Sequence, residues 1–480
     1  MKKIYKIYIS ALLVVVGSTN LCWSQSALRS SYFLDGMLTN HHFNPAIQGE
    51  YGYVGIPIIG SFNIGLNSNV GLANFLFPTN TGLTTFLSSS VSGADFLSAL
   101  DSKNRIAADI QTSILAGGFW AWGGYNTVDV NFKSFTNANI PYEMFDFLKS
   151  GMSSAQGNTY KMENIMASTN NYIDIAFGHS RKIGDKWTVG VKVKFVLGMA
   201  NVQANINRLD ATLTGDKWLI DMQGQLDVSA PGAVFKTNDK GDVSSVDLMK
   251  KPFGEGLGYG AAIDFGATFK PSERFTISLA VIDLGFISWG KSYRASNHDQ
   301  QFLFDGFSNI AVGPDGTGLP LDKQLTSLKD DLSNLIKFKP TDGAISNTRM
   351  LRTTINLGVE YNLVPEKFSF GLLATARFAE HHTVFQGLLS ANYRPAKWFE
   401  MALSAGMSSN TSFSWGGVIN FCPRFINFFV GADFVTMRLA PQMVPLHNTN
   451  MLISVGLNVP LARNREVRKN ASTWTQWLPK

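Results

Sequence analysis

The chain has 480 residues, 45% of them hydrophobic and only 16% charged, with 44 Gly and 35 Phe. A charged share well under the roughly 25% of soluble domains argues against a helical enzyme and suits a β protein with large outward apolar faces. The formal charge of +6 is no nucleic-acid signature, because Lys2, Lys3 and Lys6 supply half of it and about +3 remains without them.

Those lysines open residues 1–24, which read as a secretory signal peptide. A positive start is followed by the short apolar run Ile9 to Val16, with cleavage expected before Gln25. The run is far shorter than the roughly 20 residues a membrane helix needs. Leu21 is too bulky for a lipoprotein signal at Cys22. Cleavage leaves Cys422 alone, so no internal disulfide is expected. Residues 25–50 are set apart as an N-terminal segment, and from 51 onward the pattern is that of strands.

Period-two alternation recurs along 51–461. Val189, Val191, Val193 and Phe195 alternate with Thr188, Gly190, Lys192 and Lys194. Ile263, Phe265, Ala267 and Phe269 alternate with Ala262, Asp264, Gly266 and Thr268. Leu351, Ile355, Leu357, Val359 and Tyr361 oppose Arg352, Asn356, Gly358 and Glu360, and residues 397–407, 411–421 and 451–459 behave alike. One face is apolar and the other is small or polar, as transmembrane β-strands require. Tight turns such as KIGDKW (182–187), TGDKW (214–218), KPSERF (270–275), VPEKF (364–368) and RPAKWF (394–399) put an aromatic where the next strand starts. That is the arrangement of an aromatic girdle. Short links near 379–382 and 408–411 contrast with long ones at 69–104, 137–168, 231–256 and 291–348. The fold class expected is all-β, a transmembrane antiparallel barrel of about 14 and up to 16 strands, with short helices in the outer loops.

Three loop segments carry helix signals. Residues 321–336 place Leu321, Leu325, Leu328, Leu332 and Leu335 on one stripe. Pro141 opens an apolar run through Phe145 and Phe147, and 92–100 form a third candidate. Such helices are expected to cap the barrel mouth. The sharper alternative makes Phe145, Phe147, Leu325, Leu328 and Leu332 the lining of an outer hydrophobic pocket.

On the inward face the alternation places Asp174, Lys192, Lys194, Asp264, Lys270, Arg352, Glu360, Arg377, Glu400 and Asp433. The signs are balanced, which suits a lumen crossed by ion pairs or filled by a plug rather than an ion-selective pore. No catalytic motif stands out and no cofactor is implied. His41-His42 and His381-His382 would point to opposite faces on a strand, so no metal chelate is expected. Gly256 and Gly258 lead into a strand and read as close-packing positions.

Phe43-Asn44-Pro45-Ala46, just after the leader and ahead of a Gly-rich first strand, resembles the start of the outer-membrane long-chain fatty-acid transporter (FadL-like) superfamily. The barrels of type IX secretion and gliding in Bacteroidetes begin similarly. The resemblance implies a barrel of roughly 14 strands in the bacterial outer membrane. It also implies that 25–50 fold inward as a hatch, with Asn44, Pro45 and Ala46 in the hatch or at its junction with the first strand. The chain departs in its basic residues 462–480, expected as a periplasmic tail. Two functions remain open. One is a conduit for small hydrophobic compounds. The other is a non-enzymatic scaffold or assembly barrel that docks a periplasmic or surface protein. The partners implied are outer-membrane lipid and a hydrophobic small molecule or a protein, with no nucleic acid.

Overall fold

The computed structural model describes residues 27–79, 82–151, 156–248, 256–305, 320–379, 382–408, 411–435 and 449–463. The expected leader, the tail beyond Arg463 and His381 lie outside them. The strands are, in order, β1 (Tyr51–Gly55), β2 (Phe62–Ser68), β3 (Leu76–Thr79), β4 (Gly82–Thr85), β5 (Lys103–Ala121), β6 (Gly124–Pro141) and β7 (Thr159–Ile183). Next come β8 (Trp187–Thr214), β9 (Lys217–Ser229), β10 (Val234–Thr237), β11 (Val243–Asp247), β12 (Gly258–Ser272), β13 (Phe275–Phe304) and β14 (Lys339–Met350). The last are β15 (Thr353–Val364), β16 (Phe368–Ala379), β17 (His382–Ala396), β18 (Phe399–Ser408), β19 (Thr411–Phe421), β20 (Asn427–Val435) and β21 (Thr449–Arg463). Among the described residues four α-helices lie between them: α1 (Leu72–Phe75), α2 (Gly93–Ser98), α3 (Tyr142–Ser150) and α4 (Leu321–Leu335).

Seventeen strands share one antiparallel sheet, and it closes through β1 and β2, which pair with β21 on one side and β5 on the other. Three pairs lie end to end in one position each. β1 and β2 are separated by 56–61, β9 and β12 both bridge β8 to β13, and β14 runs into β15 along β13. The ring therefore has 14 positions. Closure satisfies the strand edges, which lipid demands because it offers no hydrogen bonds.

The alternation decides what each face meets. Phe177, Val191, Val193, Phe195, Phe265 and Leu357 are exposed on the outside, while Asp174, Lys192, Lys194, Asp264 and Glu360 are buried inside. At one end Trp187, Phe275 and Phe428 follow tight turns and stay exposed. Trp187 stacks on Phe269 there, in a girdle. The turn at 214–218 differs. It closes the opposite end of β8, and Trp218 is buried against Phe147 and Tyr160.

Wall height is uneven. β7, β8 and β13 run for 25, 28 and 30 residues, whereas β18, β19 and β20 have 10, 11 and 9. At roughly 3.3 Å per residue the short strands suffice to cross a membrane, and the long ones rise far above it. Leu351 does not join the outward face with Ile355 and Leu357. The break between β14 and β15 turns it inward, where it packs with Trp289 and Ile287.

Candidate functional site

Residues 27–50 fill the lower lumen as a plug. Leu28, Tyr32, Phe33, Leu34, Met37, Leu38 and Phe43 are all buried there, and each such side chain contributes about 1.5–3 kcal/mol. Two 3-10 turns, Arg29–Ser31 and Asn40–His42, fold the segment tightly. Asn40 ties the turns together by donating to the carbonyls of Ser31 (2.9 Å) and Leu34 (2.8 Å).

Wall side chains hold the plug by its backbone. Asp433 accepts from the N–H groups of Arg29 (2.5 Å) and Ser30 (3.2 Å) and from the Ser30 hydroxyl. Glu400 accepts from the Gly36 N–H at 2.9 Å. Arg394 donates to the Phe33 carbonyl and pairs with Glu360 at 3.1 Å. Asn356 donates to the Phe43 carbonyl at 3.0 Å.

Asn44-Pro45-Ala46 lies in this segment. The Asn44 side chain accepts from the Ala46 N–H at 2.9 Å, an Asx turn that fixes the bend. The bend rests on two wall glycines that face each other across β8 and β12, Gly190 and Gly266. A Cβ on Gly190 would collide with the Pro45 carbonyl, and one on Gly266 with the Asn44 amide oxygen and the Pro45 ring. The tripeptide thus occupies space that only a glycine pair leaves open.

His41 and His42 correct the expectation drawn for them. They sit on a 3-10 turn rather than a strand, so their rings converge on one wall carboxylate, Asp129. His42 Nε2 lies 3.3 Å from Asp129, and His41 Nδ1 lies 3.7 Å from it. The centre of this group is taken by the Lys192 ammonium, 2.9 Å from both His41 Nδ1 and Asp129. Lys192 donates to Nδ1, so Nε2 carries the proton and donates to the Tyr53 hydroxyl at 2.7 Å. Burial, then the Lys192 charge, hold the His41 imidazole well below its usual pKa and therefore neutral. The Lys192 ammonium thus neutralises Asp129 and occupies the lone pair of His41 Nδ1.

The predicted inward charges are otherwise placed as follows. Asp174 pairs with Lys133 at 3.0 Å, and Asp264 with Lys194 at 2.7 Å. Asp283 bridges Lys133 (2.9 Å) and Lys194 (2.5 Å). Arg352 pairs with Asp109 at 3.0 Å and lies 4.0 Å over the Phe135 ring. Arg377 is buried above the plug. Lys270 is not a lumen residue; it is exposed at the rim of β12, where its strand ends. Sequence reasoning missed Asp109, Asp129, Lys133 and Asp283. Asp109, Asp129 and Lys133 sit on β5 and β6, between the links at 69–104 and 137–168, where no alternation was drawn from the sequence, and Asp283 sits at a bulge with φ of 57°.

The outer-loop residues meet elsewhere. Phe145, Leu325, Leu328 and Leu332 line a cavity of about 430 Å³ with Phe75, Phe86 and Met144. Phe147 lies beside it, fully buried between Tyr160 and Trp218. The cavity floor includes Ile106, Ala138, Ile140, Ile165 and Ala167. On β5 and β6, Asp109 and Lys133 point into the lumen, so Ile106 and Ala138, which pair with each other at the opposite parity, face outward. The cavity therefore lies on the sheet face that lower down meets lipid, not over the lumen. Met162, Leu209, Ile220 and Met222 share that outer face and are buried under the loops. The inner face of the same tall wall is polar, with Arg208 on Asp221 and Arg294 on Asp227. The helices clothe the back of the wall instead of capping the barrel mouth, because the strands above the membrane still carry an apolar outer face that water would not tolerate. No charged side chain among the described residues lines the cavity, and its polar Thr85 and Gln324 bond to each other at 3.1 Å.

Residues 45–433 match a family described as "Family of unknown function (DUF5723)". The chain belongs to this family. No curated protein matches the chain. Among solved structures, the chain is similar to the Pseudomonas putida toluene transporter TodX at 8% identity, covering 91% of this chain and 98% of that one, with a TM-score of 0.41. It is similar to a TodX deltaS2S3 mutant monoaromatic hydrocarbon channel at 10% identity, 93% and 96% coverage and a TM-score of 0.43. A Pseudomonas aeruginosa FadL homologue follows at 10% identity, 91% and 99% coverage and a TM-score of 0.37.

Proposed function

We propose that this family member is a FadL-like conduit for small, uncharged hydrophobic compounds in the bacterial outer membrane, exported by a cleaved leader. The observation that carries this is the cavity of about 430 Å³ among α3, α4 and the back of the tall wall. Its size falls within the usual range of small-molecule sites. Its few polar side chains are already satisfied, so a ligand with an unmet polar group would lose its water and gain nothing. Ile106, 40% exposed, connects the cavity floor to Ile64 and Ile110 on the same outward face, a greasy path toward the outer leaflet. Titration of the protein in nanodiscs with a fluorescent aromatic hydrocarbon tests the reading. Saturable binding that Leu328→Trp weakens is the expected result, and wild-type binding no tighter than partition into empty nanodiscs overturns it.

A second reading is favoured by the plug, held by wall carboxylates, an arginine and an asparagine with no open passage needed. In it the barrel is a non-enzymatic scaffold that docks a secreted or surface protein, as the type IX secretion barrels it resembles do. A stable partner co-purifying from native membranes, with no hydrocarbon binding, would favour that reading.

A further inference from the structure

Directly above the plug lies a second, smaller cavity of about 60 Å³. It is independent of whatever the outer cavity binds. Arg29 of the plug and Arg377 of β16 both line it, and they are only 3% and 5% exposed. Arg29 Nη1 has no hydrogen-bond partner among the described residues. The carboxylates that could answer it are engaged. Asp433 is taken up by the backbone N–H groups of Arg29 and Ser30 and by the Ser30 hydroxyl. Both oxygens of Asp109 accept from Arg352, at 3.1 and 3.0 Å. Across the cavity, Lys133 and Lys194 meet three carboxylates, Asp174, Asp264 and Asp283. The cavity is thus polarised, with surplus negative charge at the lysine side and surplus positive charge at the arginine side.

A guanidinium buried with an open N–H is costly unless a counter-charge reaches it. Burial, and after it the nearby Arg377 charge, pull the Arg29 pKa well below its usual value, against the opposing pull of Asp433. The volume exceeds the roughly 10–15 Å³ that one water needs and is far too small for an acyl chain. We propose that a small monovalent anion of halide size binds in this cavity between Arg29 of the plug and Arg377 of the wall, locking plug to barrel.

The test uses the full chain with its plug, and bromide as the probe. Crystals soaked in sodium bromide should show an anomalous peak within hydrogen-bond reach of Arg29 Nη1. In detergent, bromide should raise the unfolding midpoint by about 2–4 °C over gluconate at equal ionic strength, since gluconate is too large to enter. Arg29→Met should remove that difference. Should it fail to fold, Arg377→Gln must remove it instead. No peak, or equal midpoints in bromide and gluconate for the wild type, overturns the proposal. A peak without the midpoint difference marks an adventitious ion only and overturns it as well.

Discussion

The lower lumen and the outer cavity are built from opposite chemistry within one sheet. Inside, wall carboxylates, an amide and a guanidinium hold the plug by its backbone. Outside, on the other face of the same strands, helices are held by Phe, Leu and Met with hardly a polar contact. A lumen lined by charged and amide groups has nothing to offer a hydrocarbon, whereas an apolar recess with satisfied polar edges has nothing to offer an ion.

Removal of the plug should have the largest effect. Deleting residues 27–50 should leave a heat-modifiable barrel with its lumen open, and single-channel conductance in planar bilayers should rise by about tenfold or more. A deleted variant that still passes no current would mean the lumen is closed by the wall itself. The next largest effect is expected at the buried pair. Lys192→Met leaves Asp129 uncompensated and should cost about 3–5 kcal/mol in urea unfolding from lipid vesicles, while Lys192→Met with Asp129→Leu should recover most of it. Equal losses in the single and double variants would show that the charges act apart. Gly266→Ala should cost about 1–3 kcal/mol by pressing on Asn44 and Pro45. It should also speed protease cleavage within the plug, whereas Gly387→Ala, whose Cβ meets nothing within 4 Å, should do neither. Smallest of all, Leu328→Trp should fill part of the outer cavity. Hydrocarbon affinity should fall about tenfold, or about 1.4 kcal/mol, with stability nearly unchanged.

Much of the barrel was legible because lipid enforces a strict period of two. Val191 and Lys192 cannot exchange faces without putting an ammonium into hydrocarbon, so their sides follow from sequence alone. The resemblance pointed to Asn44-Pro45-Ala46, but nothing in the sequence pointed to the seat formed by Gly190 and Gly266. A glycine's role here depends on which strand lies beside it, and register is not written locally. The side on which the loop helices pack was also hidden. The stripe of Leu325, Leu328 and Leu332 shows that α4 buries one face, but not against which face of which wall. Bulges decided the rest. Asp283 and Leu351 sit where the alternation is interrupted, and a periodic reading places such residues on the wrong side or passes over them.

If the outer cavity binds hydrocarbon, it should do so independently of the plugged lumen. Hydrocarbon titration of the wild type and of the variant lacking 27–50, both in nanodiscs, tests it most directly. The two dissociation constants should agree within about twofold. Loss of binding in the plugless barrel, with heat-modifiability intact, would contradict it and place the ligand in the lumen.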